Sequence, residues 1–231
     1  MILKEYLSDF VSLFYPELCA ACGNNLYKGE KVICTFCHVN LPYTNYHQQQ
    51  DNPLSRIFWG RVPIAAASSY LFFRKGSKVQ HMLHELKYKG RTEIGSRMGI
   101  LYGHHLATST EFDQTDLILP VPLHPKKELK RGYNQSSFFA EGLAESMQKD
   151  VDCKVLYRTK NTETQTKKSR YSRHLNVDQL FDIRDASLIK SRNVLLVDDV
   201  LTTGSTLESC AAVLLDSGAK KVFVATIACA Q

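Results

Sequence analysis

Three uninterrupted apolar runs mark the second half of the chain: Leu117-Ile-Leu-Pro-Val121, Val194-Leu-Leu-Val197 and Val222-Phe-Val-Ala225. None alternates with polar residues. A sheet with one wet face carries alternating strands, whereas strands covered on both faces of a parallel sheet read as continuous apolar runs. Between the last two runs, Leu207, Ala211 and Leu214 fall on one helical face, and Gly218 stands where a helix-terminating glycine belongs. Strand, helix and strand in one short stretch form a βαβ unit, so residues 116–230 are expected to be α/β. Upstream, Val62 to Phe73 reads as a strand, and helical segments follow around Val79 to Tyr88 and Ile94 to Leu106. Leu3, Leu7, Phe10 and Phe14 recur at helical spacing and predict a short amphipathic helix packed on its own protein. The polar stretch His47-Gln-Gln-Gln-Asp-Asn-Pro53 reads as a linker, dividing residues 1–50 from 51–231.

Length and composition narrow the class without naming a chemistry. The 231 residues, 44% hydrophobic and 23% charged, suit one α/β domain with a small appendage. No apolar run approaches the ~20 residues of a membrane span. Lys4, Glu5 and Asp9 interrupt any signal-peptide core, so the expected location is cytoplasmic and reducing. The net charge of +6 points to anionic partners. It is concentrated in two places: Lys126, Lys127, Lys130 and Arg131, and a run from Lys154 to His174 that includes Arg158, Lys160 and Arg173. Solvated faces or a loop would account for such runs equally well until their surroundings are known.

Cys19-Ala-Ala-Cys22 and Cys34-Thr-Phe-Cys37 form C-x2-C-x11-C-x2-C. A two-residue gap lets both thiolates of a pair reach one ion from a tight turn, and two such knuckles supply the tetrahedral sulfur set of Zn2+. Gly23 and Gly29 suit the turns. Four thiolates close the coordination sphere, so this zinc is expected to be structural. Redox pairing and iron–sulfur ligation are the alternatives, and His38 in place of a cysteine is a weaker one. Cys153, Cys210 and Cys229 are expected to be buried small apolar residues, and His81 and His84 to be packing or surface residues.

The segment from Val194 to Leu207 is the richest in chemistry. A buried strand ends in Asp198 and Asp199, followed by Thr202, Thr203, Gly204, Ser205 and Thr206 and then a helix. Loop N–H groups, hydroxyls and the positive end of the helix can surround a phosphate. Two carboxylates would repel that phosphate and suit ribose hydroxyls, a metal or a proton instead. Together they point to a sugar phosphate. A smaller reading of the same residues is a capping box between Ser205 and Glu208.

Residues 194–206 resemble the signature of type I phosphoribosyltransferases that binds 5-phosphoribosyl-1-pyrophosphate (PRPP). The wider order of motifs resembles the ComF competence-protein family: the four-cysteine knuckle, then Leu86-Lys87-Tyr88-Lys89-Gly90-Arg91, Pro120-Val121-Pro122 through Pro125, and Arg131-Gly132-Tyr133-Asn134-Gln135. A last stretch carries Leu156, Arg158, Lys160, Thr162, Gln165, Arg173 and Asn176. Lys168 and Gln179-Leu180-Phe181 depart from the family pattern. The resemblance implies a type I phosphoribosyltransferase fold, a parallel sheet flanked by helices, with 116–230 as its PRPP-binding core and 54–110 supplying, with the C-terminus, the hood and accessory elements. It implies that Asp198 and Asp199 hold the ribose hydroxyls, that Thr202 to Thr206 hold the 5′-phosphate, and that Arg131 and Gly132 lie against pyrophosphate. Arg158, Thr162, Gln165 and Arg173 would belong to a loop that closes over PRPP with Mg2+. The implied activity is phosphoribosyl transfer to an acceptor the sequence does not identify, linked to DNA uptake. The alternative is a non-catalytic PRPP or nucleotide sensor that binds single-stranded DNA or a competence protein. Against the DNA version, aromatic residues do not interleave the basic runs as a stacking platform would. Tyr133 could stack a base or serve as a hydrogen-bonded tyrosine.

Overall fold

The computed structural model describes residues 16–159 and 180–230. The expected helix on Leu3, Leu7, Phe10 and Phe14, and the site residues Thr162, Gln165 and Arg173, lie outside the described residues.

In chain order the elements are α1 (Thr35–Asn40), α2 (Pro53–Ile57), β1 (Ala66–Phe73), α3 (Lys78–Tyr88), α4 (Glu93–Leu106), β2 (Leu117–Pro120), α5 (Pro125–Arg131), α6 (Gln135–Met147), β3 (Asp150–Val151), β4 (Leu156–Arg158), β5 (Phe181–Ile183), β6 (Asn193–Leu201), α7 (Ser205–Asp216) and β7 (Lys221–Ala230). A five-stranded sheet in the order β1-β7-β6-β2-β3 is parallel throughout, and β4 and β5 form a separate antiparallel pair. The register sets Leu196 of β6 beside Leu119 on one side and Val224 on the other.

The continuous apolar runs are explained by two cores, one on each face of this sheet. Leu195, Val197, Phe223 and Ala225 pack on one side with α3, α4 and α6. Their neighbours Val194, Leu196, Val222 and Val224 pack on the other, against Leu207, Cys210, Ala211 and Leu214 of α7. Each strand therefore needs apolar residues at every position. Beyond α7, Gly218 has φ +97°, as a residue just past a helix end requires.

Helices α4 and α6 approach backbone to backbone. Gly95, Gly99 and Gly103 recur every fourth residue on α4 and face α6. A Cβ on Gly99 would lie 2.4 Å from the Phe139 carbonyl oxygen, and one on Gly142 would lie 2.2 Å from that of Ser96. Only hydrogen fits at these positions.

Several expectations are corrected. Residues 47–53 are folded: His47 and Asn52 are buried, and the Asn52 side chain caps α2 and donates to the Ala67 carbonyl at 3.0 Å. Polarity there reflects capping and bonding to the sheet edge. The strand expected from Val62 begins only at Ala66. The 54–110 segment, expected to supply the hood and accessory elements, contains β1, an edge strand of the main sheet, and α4, which belongs to its helical layer. Cys153 is exposed, because it falls in the turn between β3 and β4 and outside either core. Among the described residues, no helix is long and apolar enough to cross a membrane.

Candidate functional site

Strand β6 runs beyond the expected Val194–Val197 and carries Asp198 and Asp199 within it, with Asp199 buried. Adjacent strand positions point apart, and the two carboxylates take separate partners. Asp199 accepts from the Gln135 amide at 2.5 Å and pairs with Lys87 Nζ at 2.9 Å. Asp198 accepts from the Ser136 hydroxyl at 2.9 Å and from the Asp199 N–H at 2.8 Å. Burial, followed by the Asp199 charge beside it, pushes the Asp198 carboxyl up to about 7. The Asp199 N–H, the Ser136 hydroxyl and Lys87 oppose that rise.

Thr202 to Thr206 form a shallow depression with Asp198 at the start of α7. Its open N–H groups and hydroxyls are the donors an anion needs. Gly204 is the N-cap in the left-handed region at φ 77°, so Ser205 is the first helical residue. The expected Ser205–Glu208 capping box does not form; Glu208 instead pairs with Arg61. The Arg61 guanidinium also donates to the Thr203 carbonyl at 3.0 Å, tying the loop to the turn after α2. A Cβ on Gly204 would sit 3.0 Å from Ile57 Cγ2, so the loop is seated on that turn.

A cleft of about 260 Å³ joins the parts, with Lys87, Arg131, Arg158, Asp198, Asp199 and Thr206 among its lining. Arg131 ends α5 and is turned by Gly132, whose φ of 84° closes the helix. Its guanidinium donates to Gln135 Oε1 and lies 5.5 Å from the Tyr88 ring centroid. Arg158, on β4, lies 5.3 Å from the Phe181 ring centroid. Gly132 shapes the turn behind the cleft, while Thr202, Thr203, Gly204 and Ser205 line the adjoining depression. Tyr133 donates its hydroxyl to the Leu86 carbonyl and meets Phe138 edge-on, so it is a hydrogen-bonded tyrosine.

Sequence reasoning gave Lys87, Gln135 and Ser136 no role at the acid pair. Lys87 and Gln135 lie inside motifs already noticed, but only the fold carries α3 and the start of α6 to the end of β6. Two cation–aromatic pairs form in space that the sequence does not place side by side. Arg131 lies over Tyr88, and Arg184 lies 4.9 Å from the Tyr157 ring centroid. These pairs come from different elements, so spacing along the chain hides them.

The four cysteines form the second site. Their sulfurs all lie within 4.8 Å of one another, and Cys22 and Cys34 are 3.9 Å apart. A zinc tetrahedron with arms of about 2.3 Å has edges of about 3.8 Å, so the set fits the ion. Cys34 N–H points to Cys19 Sγ at 3.3 Å and Cys37 N–H to Cys34 Sγ at 3.4 Å, as donors to thiolates do. Burial pushes the Cys37 thiol up to about 12. At Cys19 burial acts the same way but is outweighed by N–H groups of Cys34, Cys22 and Ala21, which bring it down to about 7. His38 is outside the set. The unit is not freestanding: Ala20, Ala21, Ile33, Cys37 and Leu41 share one core with Val79, Met82, Leu83 and Leu86 of α3. His81 Nδ1 lies 2.8 Å from the Ala20 carbonyl oxygen.

A family model described as "Phosphoribosyl transferase domain" matches residues 133–230. The "DNA utilization protein YhgH" of Escherichia coli O157:H7 is 29% identical over 218 residues, covering 93% of this chain and 91% of that one. "Competence protein F" of Haemophilus influenzae is 33% identical over 227 residues, covering 91% and 96%. "Competence protein ComFC" of Bacillus subtilis is 26% identical over 204 residues, covering 87% and 79%.

Proposed function

Because the chain belongs to the competence protein F family and carries a phosphoribosyltransferase domain, we propose that it binds PRPP with Mg2+ and transfers its phosphoribosyl group to an acceptor. The observation that carries this reading is the cleft in which an acid pair and two arginines converge, beside the depression of a hydroxyl-rich helix start that shares Asp198 and Thr206 with it. In this reading the Thr202–Thr206 loop takes the 5′-phosphate and Asp198 and Asp199 take the ribose hydroxyls. Arg131 and Arg158 face the pyrophosphate; the family resemblance assigns Arg173 the same role and adds Thr162 and Gln165 to the PRPP-binding residues.

Transfer breaks the bond from C1 to the pyrophosphate oxygen as a nucleophile bonds to C1. Negative charge grows on pyrophosphate and positive charge on the ribose ring. Arginines at one end and an ionised Asp198 at the other stabilise both, and no covalent enzyme intermediate is needed. Bound Mg2+ would neutralise phosphate charge; the oxygen donors of the acid pair suit so hard a cation. The relatives' names place them in competence and DNA utilization, so the product is proposed to serve DNA handling.

Calorimetry with PRPP and Mg2+ tests the reading. Wild-type protein should bind, and the Asp198→Asn/Asp199→Asn variant should lose at least about tenfold in affinity. Equal binding by both would overturn it.

A further inference from the structure

Three consecutive residues at the start of α6 bind the ends of β2 and β6. Asn134 caps the helix and donates its side-chain amide to the Val121 carbonyl at 3.0 Å. Gln135 and Ser136, neighbours in sequence, donate to Asp199 and Asp198, neighbours on β6. Gln135 has a second partner: its Oε1 accepts from the Arg131 guanidinium while its Nε2 donates to Asp199. This buried amide has one workable orientation. Turned over, it would set its NH2 against a guanidinium and its carbonyl oxygen against a carboxylate, two repulsive contacts in place of two charge-assisted bonds. The contact at either end therefore fixes the group presented at the other. A guanidinium has five N–H donors, so Gln135 aims Arg131 without exhausting it. Both ends of this bridge, Arg131 and Asp199, line the cleft.

We propose that Gln135 is a positioning residue that couples the two halves of the cleft: filling the ribose end at Asp199 raises the affinity for pyrophosphate at Arg131, and the reverse. The assignment rests on PRPP lying in the cleft with its ribose at the acid pair. Ribose hydroxyls bonded to Asp199 steady the carboxylate, the carboxylate holds the amide, and the amide holds the guanidinium in the pose that pyrophosphate meets. The site then grips PRPP, which carries both ends, more firmly than its two ends taken separately. The same bridge orders release. Once pyrophosphate departs, the brace on Asp199 slackens and the phosphoribosyl product follows.

Calorimetry on the full zinc-loaded chain tests the bridge. Magnesium pyrophosphate is titrated with and without saturating anhydroribitol 5-phosphate, a ribose phosphate analogue whose C1 carries only hydrogen and leaves room for pyrophosphate. In wild-type protein the analogue should tighten pyrophosphate binding about threefold or more, the worth of roughly one hydrogen bond. In Gln135→Met that ratio should fall to about one while each fragment still binds alone. Gln135→Glu keeps the volume and the acceptor for Arg131 but lacks the donor for Asp199, and should behave as Gln135→Met does. Ser136→Ala, which removes the bond to Asp198 and spares the bridge, should keep the ratio. A ratio near one in wild type, or an unchanged ratio in both Gln135 variants, overturns the proposal. An equal loss in Ser136→Ala also overturns it, because the coupling then belongs to the helix start as a whole. Failure of either fragment to bind wild-type protein refutes the PRPP reading itself, whereas binding of both without coupling refutes only the bridge.

Discussion

Lys87 Nζ sits 2.9 Å from the Asp199 carboxylate, with the acid nearly enclosed and the lysine half-buried. The contact joins the last turn of α3 to the C-terminal end of the family's signature strand. A cation is thus built into the acid pair before any ligand arrives.

Replacing Lys87 with Met should leave Asp199 enclosed without its counter-charge. The expected loss is about 1–3 kcal/mol of stability, below that of a fully buried pair because the lysine is partly solvated. Adding Asp199→Asn should recover most of it. Denaturant unfolding of the four proteins of this double-mutant cycle measures the coupling; additive effects would show that the pair contributes nothing.

The raised Asp198 carboxyl sets a pH dependence. Its folded value of about 7 stands above the 3.8 of a free aspartate, so the folded state binds the proton more tightly. The associated stability is complete below pH ~4 and is lost as pH rises through ~7. Unliganded protein should therefore have a higher urea midpoint at pH 5 than at pH 8 from this group, and Asp198→Asn should flatten the difference. PRPP affinity should change in the opposite sense, rising toward pH 8 as the carboxylate ionises.

Arg61 lies outside the signature motif yet binds the Thr203 carbonyl and Glu208. Arg61→Ala should loosen the phosphate loop and reduce PRPP affinity about 3- to 10-fold, one to two hydrogen bonds' worth, with little change in stability. Calorimetry beside a thermal melt distinguishes a weakened loop from a weakened fold.

Gly142→Ala should destabilise by about 1–3 kcal/mol or more, because its methyl group would drive into the Ser96 carbonyl and force α4 and α6 apart. A urea midpoint equal to wild type would mean that the helices separate freely.

Stripping zinc with a chelator should release four thiols and lower the melting temperature. It should also weaken PRPP binding, because the cysteine unit and α3 share a core and the last turn of α3 carries Lys87. Thiol titration alongside calorimetry follows both; full PRPP affinity in zinc-free protein would uncouple them.

How much was legible in the sequence follows from where each signal resides. The main strands were readable because both of their faces are dry, which leaves an uninterrupted apolar run. The hydroxyl-and-glycine loop at the start of α7 and the clustering of the cysteine pairs were readable because they are local. Gln135 and Lys87 were not, since each reaches Asp199 from a distant element and neither residue type announces an acid partner. The glycines of α4 carry a spacing that could have been read: one every fourth residue on a helix marks a face approached by another backbone. Asn52 misled because a buried capping side chain and a solvated linker residue look alike in composition.

With zinc on the cysteines and PRPP in the cleft, as proposed, the core shared by the cysteine unit and α3 would join metal and ligand in one equilibrium. Whatever free energy zinc adds to PRPP binding, PRPP must return to zinc, since the cycle closes by either route. A chelator should therefore extract the metal more slowly, and less completely, from protein saturated with PRPP. Zinc retention then becomes a report on the phosphate cleft, read from the far end of α3.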